Sequence, residues 1–211
     1  GFYAMGSHDI VQGTNCPIQD EGNNIIAQAC YQIAKEFDIE PYDEHTGKGV
    51  LRHIIGRIGQ SGWMIILVTA TEQLPHKEKW VEKLTERIPQ VETIVHNVNG
   101  KRTNVILGPK NNILYGDGTI TDHIKDLQFT LSPHSFFQVN PEQTTVLYDQ
   151  ALAYADLKGD ETVIDAYCGT GTISLFLAHK AKHVIGIEIV EPAIINAREN
   201  AKRNGYDNTE F

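Results

Sequence analysis

Two acids and the glycine-rich turn between them are the residues best placed to do chemistry. Asp165 ends one apolar run and Glu188 ends the next, and Asp165-Ala166-Tyr167-Cys168-Gly169-Thr170-Gly171-Thr172 follows the first. An acid at the end of a strand can accept hydrogen bonds from ribose hydroxyls. Glycines at 169 and 171 let the backbone approach a ligand at the start of the helix that follows. The set points to a nucleoside-containing cofactor. The dinucleotide fingerprint G-x-G-x-x-G is not met, because its third glycine falls at Ser174. An acid four residues ahead of G-x-G instead suits a cofactor with a charged amino group. The carboxylate takes that group and the glycines make room for the cofactor's body.

The elements that hold these residues follow from pattern. Thr162 to Glu188 reads as strand, tight turn, apolar helix and parallel strand, one βαβ unit. Upstream, Asn140-Pro141-Glu142-Gln143 is a helix start, with Asn as cap, Pro at the first helical position and Gln three residues after the cap. That helix is expected to run to Ala155, with Val146, Leu147, Leu152 and Ala155 turned partly inward. Glu191-Pro192 opens another helix that Gly205 closes.

The first 125 residues pattern differently. Residues 1–20 suggest a short hairpin or loop. Asn23 or Asn24 caps a helix over 23–37 that buries Ile26, Cys30, Ile33 and Phe37. Strands are expected at Val50–Ile58, Trp63–Ala70, Val91–Val98 and Asn104–Leu107, the last two joined around Asn99-Gly100. Between them, a helix over Pro75–Ile88 carries a core stripe of Trp80, Leu84 and Ile88. The fold class expected is an α+β central domain over 1–125, then the first part of a doubly wound α/β domain over 126–211.

Composition bounds the function. A net charge of -9 argues against a purely electrostatic nucleic-acid binder. The halves differ: residues 1–125 hold 12 basic and 15 acidic side chains, and residues 126–211 hold 6 and 12. Three scattered cysteines, Cys16, Cys30 and Cys168, make no disulfide framework, which favours a cytoplasmic setting. No apolar run approaches the roughly 20 residues of a membrane span, so no membrane partner is expected.

At this point the chain resembles a known family. SPHSFFQVNPEQTTVLYDQAL, DAYCGTGTISLFLA and GIEIVEPAIINARENAKRNG together resemble the RNA uracil-5-methyltransferases. GFY, GSHDIV, NCPIQ and LRHIIGRIG also look like that family's central domain, so the resemblance covers essentially the whole chain. It is nearest to the ribosomal-RNA branch of Gram-positive bacteria. The resemblance implies a class I methyltransferase fold, S-adenosyl-L-methionine as cofactor and an RNA substrate, with 23S rRNA the RNA expected. It also implies cofactor contacts for Gln138, Asp165, Tyr167, Gly169, Gly171, Thr172 and Glu188. Thr172 departs from the pattern, taking a position often held by Asn. Arg52, His53 and Arg57 are candidate RNA contacts, though alternation along a strand puts Arg52 on the face opposite the other two.

The implied chemistry needs a thiolate. Uracil C5 is a weak nucleophile until a cysteine adds to C6 and makes an enolate; C5 then takes the methyl, a base removes the C5 proton and the cysteine leaves. The base must first leave the RNA stack. The family's nucleophilic Cys, in an acid-Pro-Pro context, and its general-base Glu have no match here, and both are expected beyond Phe211. No catalytic residue is therefore assigned, and the chain alone is expected to be inactive. Cys168 matches a pocket-packing cysteine. Cys16 resembles the last ligand of an iron–sulfur cluster found in relatives, a cluster possible only with upstream cysteines of a longer protein.

The ends support the expectation of an internal fragment: GFYAMGSHDIV opens in mid-pattern and NGYDNTEF enters a new strand and stops. With two strands of the methyltransferase sheet read, an unpaired edge is expected, prone to swapping or pairing with a neighbour. The alternatives are a noncatalytic cofactor- or RNA-binding module, a class I methyltransferase with another acceptor, and, last, a nicotinamide oxidoreductase.

Overall fold

The computed structural model describes residues 1–13 and 15–211. The hairpin expected over 1–20 includes residue 14, which lies outside the described residues. The chain divides into two compact units, Gly1–Ile120 and Thr121–Phe211.

In the first unit β1 (Phe2–Tyr3) and β2 (Ile10–Val11) pair antiparallel as a short hairpin. Helix α1 (Glu21–Glu36) starts earlier than its pattern suggests, because Asp20 is the cap and its carboxylate accepts the Gly22 N–H at 2.7 Å. Asn24, one of the expected caps, is buried in the first turn instead, where its Oδ1 accepts the Cys16 N–H at 3.1 Å.

Four strands follow: β3 (Leu51–Ile58), β4 (Trp63–Thr69), β5 (Val91–Val98) and β6 (Lys110–Tyr115), in the order β3-β4-β5-β6. Helix α2 (Lys77–Arg87) is the crossover between the parallel pair β4 and β5; the outer pairs are antiparallel. Both central strands are buried almost throughout; β4 is a near-continuous apolar run, as a covered parallel strand requires, while β5 also buries Thr93, His96 and Asn97. Trp80, Leu84 and Ile88 meet Ile26, Cys30 and Ile33 of α1 in the main core.

The partner of β5 differs from expectation. Asn104–Leu107 forms no strand, because Asn97 on β5 and Asn99 just after it hydrogen-bond to the backbone of that loop. Asn97 exchanges hydrogen bonds with the Gly108 carbonyl and N–H, both at 2.8 Å. Asn99 donates to the carbonyls of Val105 and Ile106 at 2.7 and 2.9 Å. The pairing strand begins only at Lys110.

Arg52 is also corrected. Its side chain is buried, paired with Glu44 at 2.7 Å, bonded to the carbonyls of Asn99 and Lys101 at 2.9 Å each, and stacked over Tyr42. It clamps loops of this unit and presents no charge to a partner. His53 lies half-buried, edge-on to Tyr3, and burial pushes its pKa down. Burial also lowers the pKa of Arg57.

In the second unit β7 (Ile120–Ile124) and β8 (Leu127–Leu131) pair across a tight connection. Helix α3 (Pro141–Ala155) has the expected start: the Asn140 side chain accepts the Gln143 N–H at 3.1 Å and Pro141 leads. Its inner face is set by Thr144 and Tyr148, while Val146 and Leu147 are exposed, contrary to the pattern. The alternation is weak here, and Tyr148 finds a hydroxyl partner inside.

The remaining elements are β9 (Thr162–Ala166), α4 (Thr172–Ala178), β10 (His183–Ile187), α5 (Glu191–Arg203) and β11 (Thr209–Glu210). The sheet is parallel in the order β11-β10-β9. It holds three strands: the two of the βαβ unit and β11, the new strand expected within NGYDNTEF, where Thr209 and Glu210 pair with Val184 and Ile185. Among the described residues, no helix is long and apolar enough to cross a membrane.

Candidate cofactor site

The register of β9 on β10 brings the two acids together. Asp165 pairs with Gly186 and Ala166 with Ile187, so Glu188 follows at the same end of the neighbouring strand. The N–H groups of Tyr167 and Cys168 both donate to the Ile187 carbonyl, at 2.8 and 3.0 Å, which folds the turn back over β10. Tyr167 takes a left-handed φ of 67° and leaves its ring exposed.

The turn closes when the Gly171 N–H donates to the Cys168 carbonyl at 2.9 Å. Gly171 has φ 81°, and a Cβ there would stand 3.1 Å from the Phe211 ring and 3.2 Å from Ala197. Only glycine suits both the conformation and the space. Gly169 also has positive φ, but the space beside it is open within 4 Å.

The acids have different surroundings. The Asp165 carboxylate accepts the Ser174 hydroxyl at 2.5 Å, and Ser174 is fully buried. Burial pushes the Asp165 pKa above the usual carboxylate range, and the Ser174 hydrogen bond works against that rise. Glu188 is held from both sides: one oxygen accepts the Gly169 N–H at 3.2 Å, the other the N–H groups of Ile189 and Val190 at 2.8 and 3.0 Å. These bonds aim its carboxylate across the mouth of the turn. Thr172, on the first turn of α4, shares a hydrogen bond with the Tyr148 hydroxyl at 2.9 Å. Gln138 lies half-buried in the segment between β8 and α3, outside regular structure.

Asp165, Tyr167, Gly169, Gly171, Thr172 and Glu188 thus surround one turn. Two participants escaped sequence reasoning. Ser174 stood only for the missing third glycine, and Asn200 lay within the GIEIVEPAIINARENAKRNG stretch with no role assigned. Asn200 is fully buried and donates to the Thr170 carbonyl at 3.1 Å. The asparagine spacing 196, 200, 204 was the signal available for it.

The thiols are poorly suited to attack. Burial first, then Asp165 and Glu188, push Cys168 up to about 11. Burial pushes Cys30 up to about 12. Both are therefore almost wholly protonated near neutrality. Cys16 is a free thiol, and among the described residues no group of three or more His, Cys, Asp and Glu side chains could hold a metal ion. Alkylation of the native protein at pH 8 is expected to label Cys16 first and to reach Cys30 and Cys168 only on unfolding. Mass spectrometry of the labelled peptides checks this, and fast labelling of Cys168 in the folded protein contradicts it.

The geometry fits a nucleoside carrying an amino-acid tail. Asp165 can take a charged amino group, Glu188 a pair of hydroxyls, and the open space at Gly169 admits the ligand body. Comparisons with known proteins agree. Residues 157–211 match the family model described as a methyltransferase domain. Across 213 aligned residues, all of this chain is 51% identical to an uncharacterized RNA methyltransferase of Halalkalibacterium halodurans, covering 46% of that protein. A Bacillus cereus RNA methyltransferase is 50% identical over the same span. The chain therefore spans about half the length of the curated relatives it matches. Among solved structures, the Pyrococcus abyssi tRNA (uracil-54, C5)-methyltransferase in complex with S-adenosyl-L-homocysteine superposes with a TM-score of 0.79 at 25% identity. That match covers 95% of this chain and 49% of the other. The fold is accordingly that of a class I methyltransferase in its second unit, and the whole chain is similar to about half the length of curated RNA methyltransferases.

Proposed function

We propose that the protein to which this chain belongs transfers a methyl group from S-adenosyl-L-methionine to C5 of uracil in RNA, with 23S rRNA as the substrate. The observation that carries this reading is the acid pair: Asp165 and Glu188 end adjacent parallel strands with the glycine turn between them. The similarity to RNA methyltransferases supports an RNA substrate, and the likeness to the Pyrococcus abyssi tRNA (uracil-54, C5)-methyltransferase supports uracil C5.

The cofactor brings an electrophilic methyl on a sulfonium sulfur. The chain's own residues bind and orient it. Asp165 takes the amino group, Glu188 the ribose hydroxyls, and Gly169 and Gly171 allow close approach. Gln138 and Tyr167 are assigned further contacts to the cofactor, and Thr172 offers a hydroxyl shared with Tyr148. A dinucleotide is disfavoured because Ser174, at the third glycine's place, is committed to Asp165. The attacking thiolate is expected outside residues 1–211, since none of Cys16, Cys30 and Cys168 stands in the acid-Pro-Pro context that the resemblance implies for it. Residues 1–211 alone are accordingly expected to bind cofactor without turnover. The cytoplasm, where ribosomal RNA is found, is the compartment this function requires.

The test uses the full-length protein, methyl-labelled S-adenosyl-L-methionine and RNA from cells lacking the gene. Label is expected in the 23S fraction. Label confined to transfer RNA contradicts the substrate, and no transfer to any RNA contradicts the activity.

A further inference from the structure

Helix α5 carries asparagines at 196 and 200 and ends on a third, its C-cap Asn204, one per turn on one face. All three reach β8 or the segment it leads into. Asn204 accepts the Gln128 N–H at 2.8 Å and donates to the Gln128 carbonyl at 2.7 Å. Asn200 accepts the Thr130 N–H at 2.8 Å. Asn196 donates to the hydroxyls of Ser132 and Ser135 at 3.2 and 3.0 Å.

The spacing explains the fit. Four helix residues advance about 6 Å and two strand residues about 6.6 Å. Each asparagine therefore meets alternate strand positions, 128, 130 and 132. The helix satisfies backbone groups that a neighbouring strand would otherwise pair. Asn200 joins two structures: its oxygen holds β8 and its amide nitrogen holds Thr170 inside the glycine turn. Asn196 fixes Ser135, three residues before Gln138.

We propose that Asn196, Asn200 and Asn204 are positioning residues for the cofactor. They set the register of the β8–Gln138 segment against the turn of Gly169 and Gly171, and so fix Gln138 relative to Asp165 and Glu188. The proposal rests on the cofactor reading above. A ladder that only stabilises the fold would not couple to Gln138.

Asn196 is the rung nearest Gln138, and it is only partly buried, so its removal leaves the other two rungs intact. In the full-length protein, Asn196→Ala is expected to weaken S-adenosyl-L-homocysteine binding about five- to tenfold. Gln138→Ala is expected to weaken it about tenfold, and the double variant no more than about tenfold, because the first change already misplaces the group the second removes. Effects that multiply, or an unchanged Kd for Asn196→Ala, overturn the proposal. Asn200→Ala is expected to speed hydrogen exchange at the Thr130 amide whether or not cofactor binds, and unchanged exchange overturns the ladder itself. Failure of the wild-type protein to bind S-adenosyl-L-homocysteine sinks the cofactor reading, and this proposal with it.

Discussion

Asp165→Asn in the full-length protein is expected to weaken S-adenosyl-L-methionine binding by about 10- to 100-fold, the worth of a charge-assisted hydrogen bond. The same substitution is expected to leave the melting temperature at neutral pH unchanged or higher. The two effects have opposite signs for one reason. Burial raises the Asp165 pKa in the folded protein, so the fold prefers the protonated acid. That stability is present below the pKa of the unfolded chain and is lost as pH rises through the folded value. Asparagine mimics the neutral acid at every pH and can still accept the Ser174 hydroxyl. Binding has the reverse dependence: a cationic amino group needs the carboxylate ionised. Cofactor affinity should therefore begin to fall at a higher pH than an ordinary carboxylate would give, and the fall should be absent in the asparagine variant. Calorimetric titration across pH, beside thermal melts, checks both parts. Equal affinity for the two proteins would contradict the role given to Asp165.

Trp80→Ala is expected to cost the first unit about 3–5 kcal/mol, the range for losing a fully buried large aromatic side chain. Trp80 is fully buried where α2 meets α1 and the sheet. Its indole N–H has no hydrogen-bond partner among the described residues. Trp80→Phe therefore loses packing but also removes a buried unsatisfied donor, which itself costs about 1–3 kcal/mol. The net loss for Phe is expected to be about 1 kcal/mol or less. Hydrogen exchange of the β4 amides reads out both variants. Equal destabilisation by Phe and Ala would show that the ring's packing is not what counts.

What the sequence made legible depended on how local the signal was. The βαβ unit, the start of α3 at Asn140 and the stripe of Trp80, Leu84 and Ile88 are set by periodicity and caps, and each appears where expected. The acid pair was legible for the same reason, since each acid ends its own apolar run. Failures came where side chains take over backbone hydrogen bonding. Asn97 and Asn99 hold the loop expected to be the partner strand of β5. Asp20 rather than Asn23 or Asn24 caps α1. Arg52 was a candidate RNA contact, yet its side chain is buried against Glu44 and two distant carbonyls. The asparagines of α5 join residues 61–76 positions apart, a separation no local pattern reports. Ser174 was visible only as a mismatch to a fingerprint, and its bond to Asp165 gives that mismatch a physical meaning.

The most direct test of uracil C5 methylation follows the proton that must leave. The full-length protein is incubated with S-adenosyl-L-methionine and RNA tritiated at C5 of uracil. The account predicts that tritium enters water one for one with methyl transfer, and that the product nucleoside is 5-methyluridine. Methyl transfer without tritium release would contradict it.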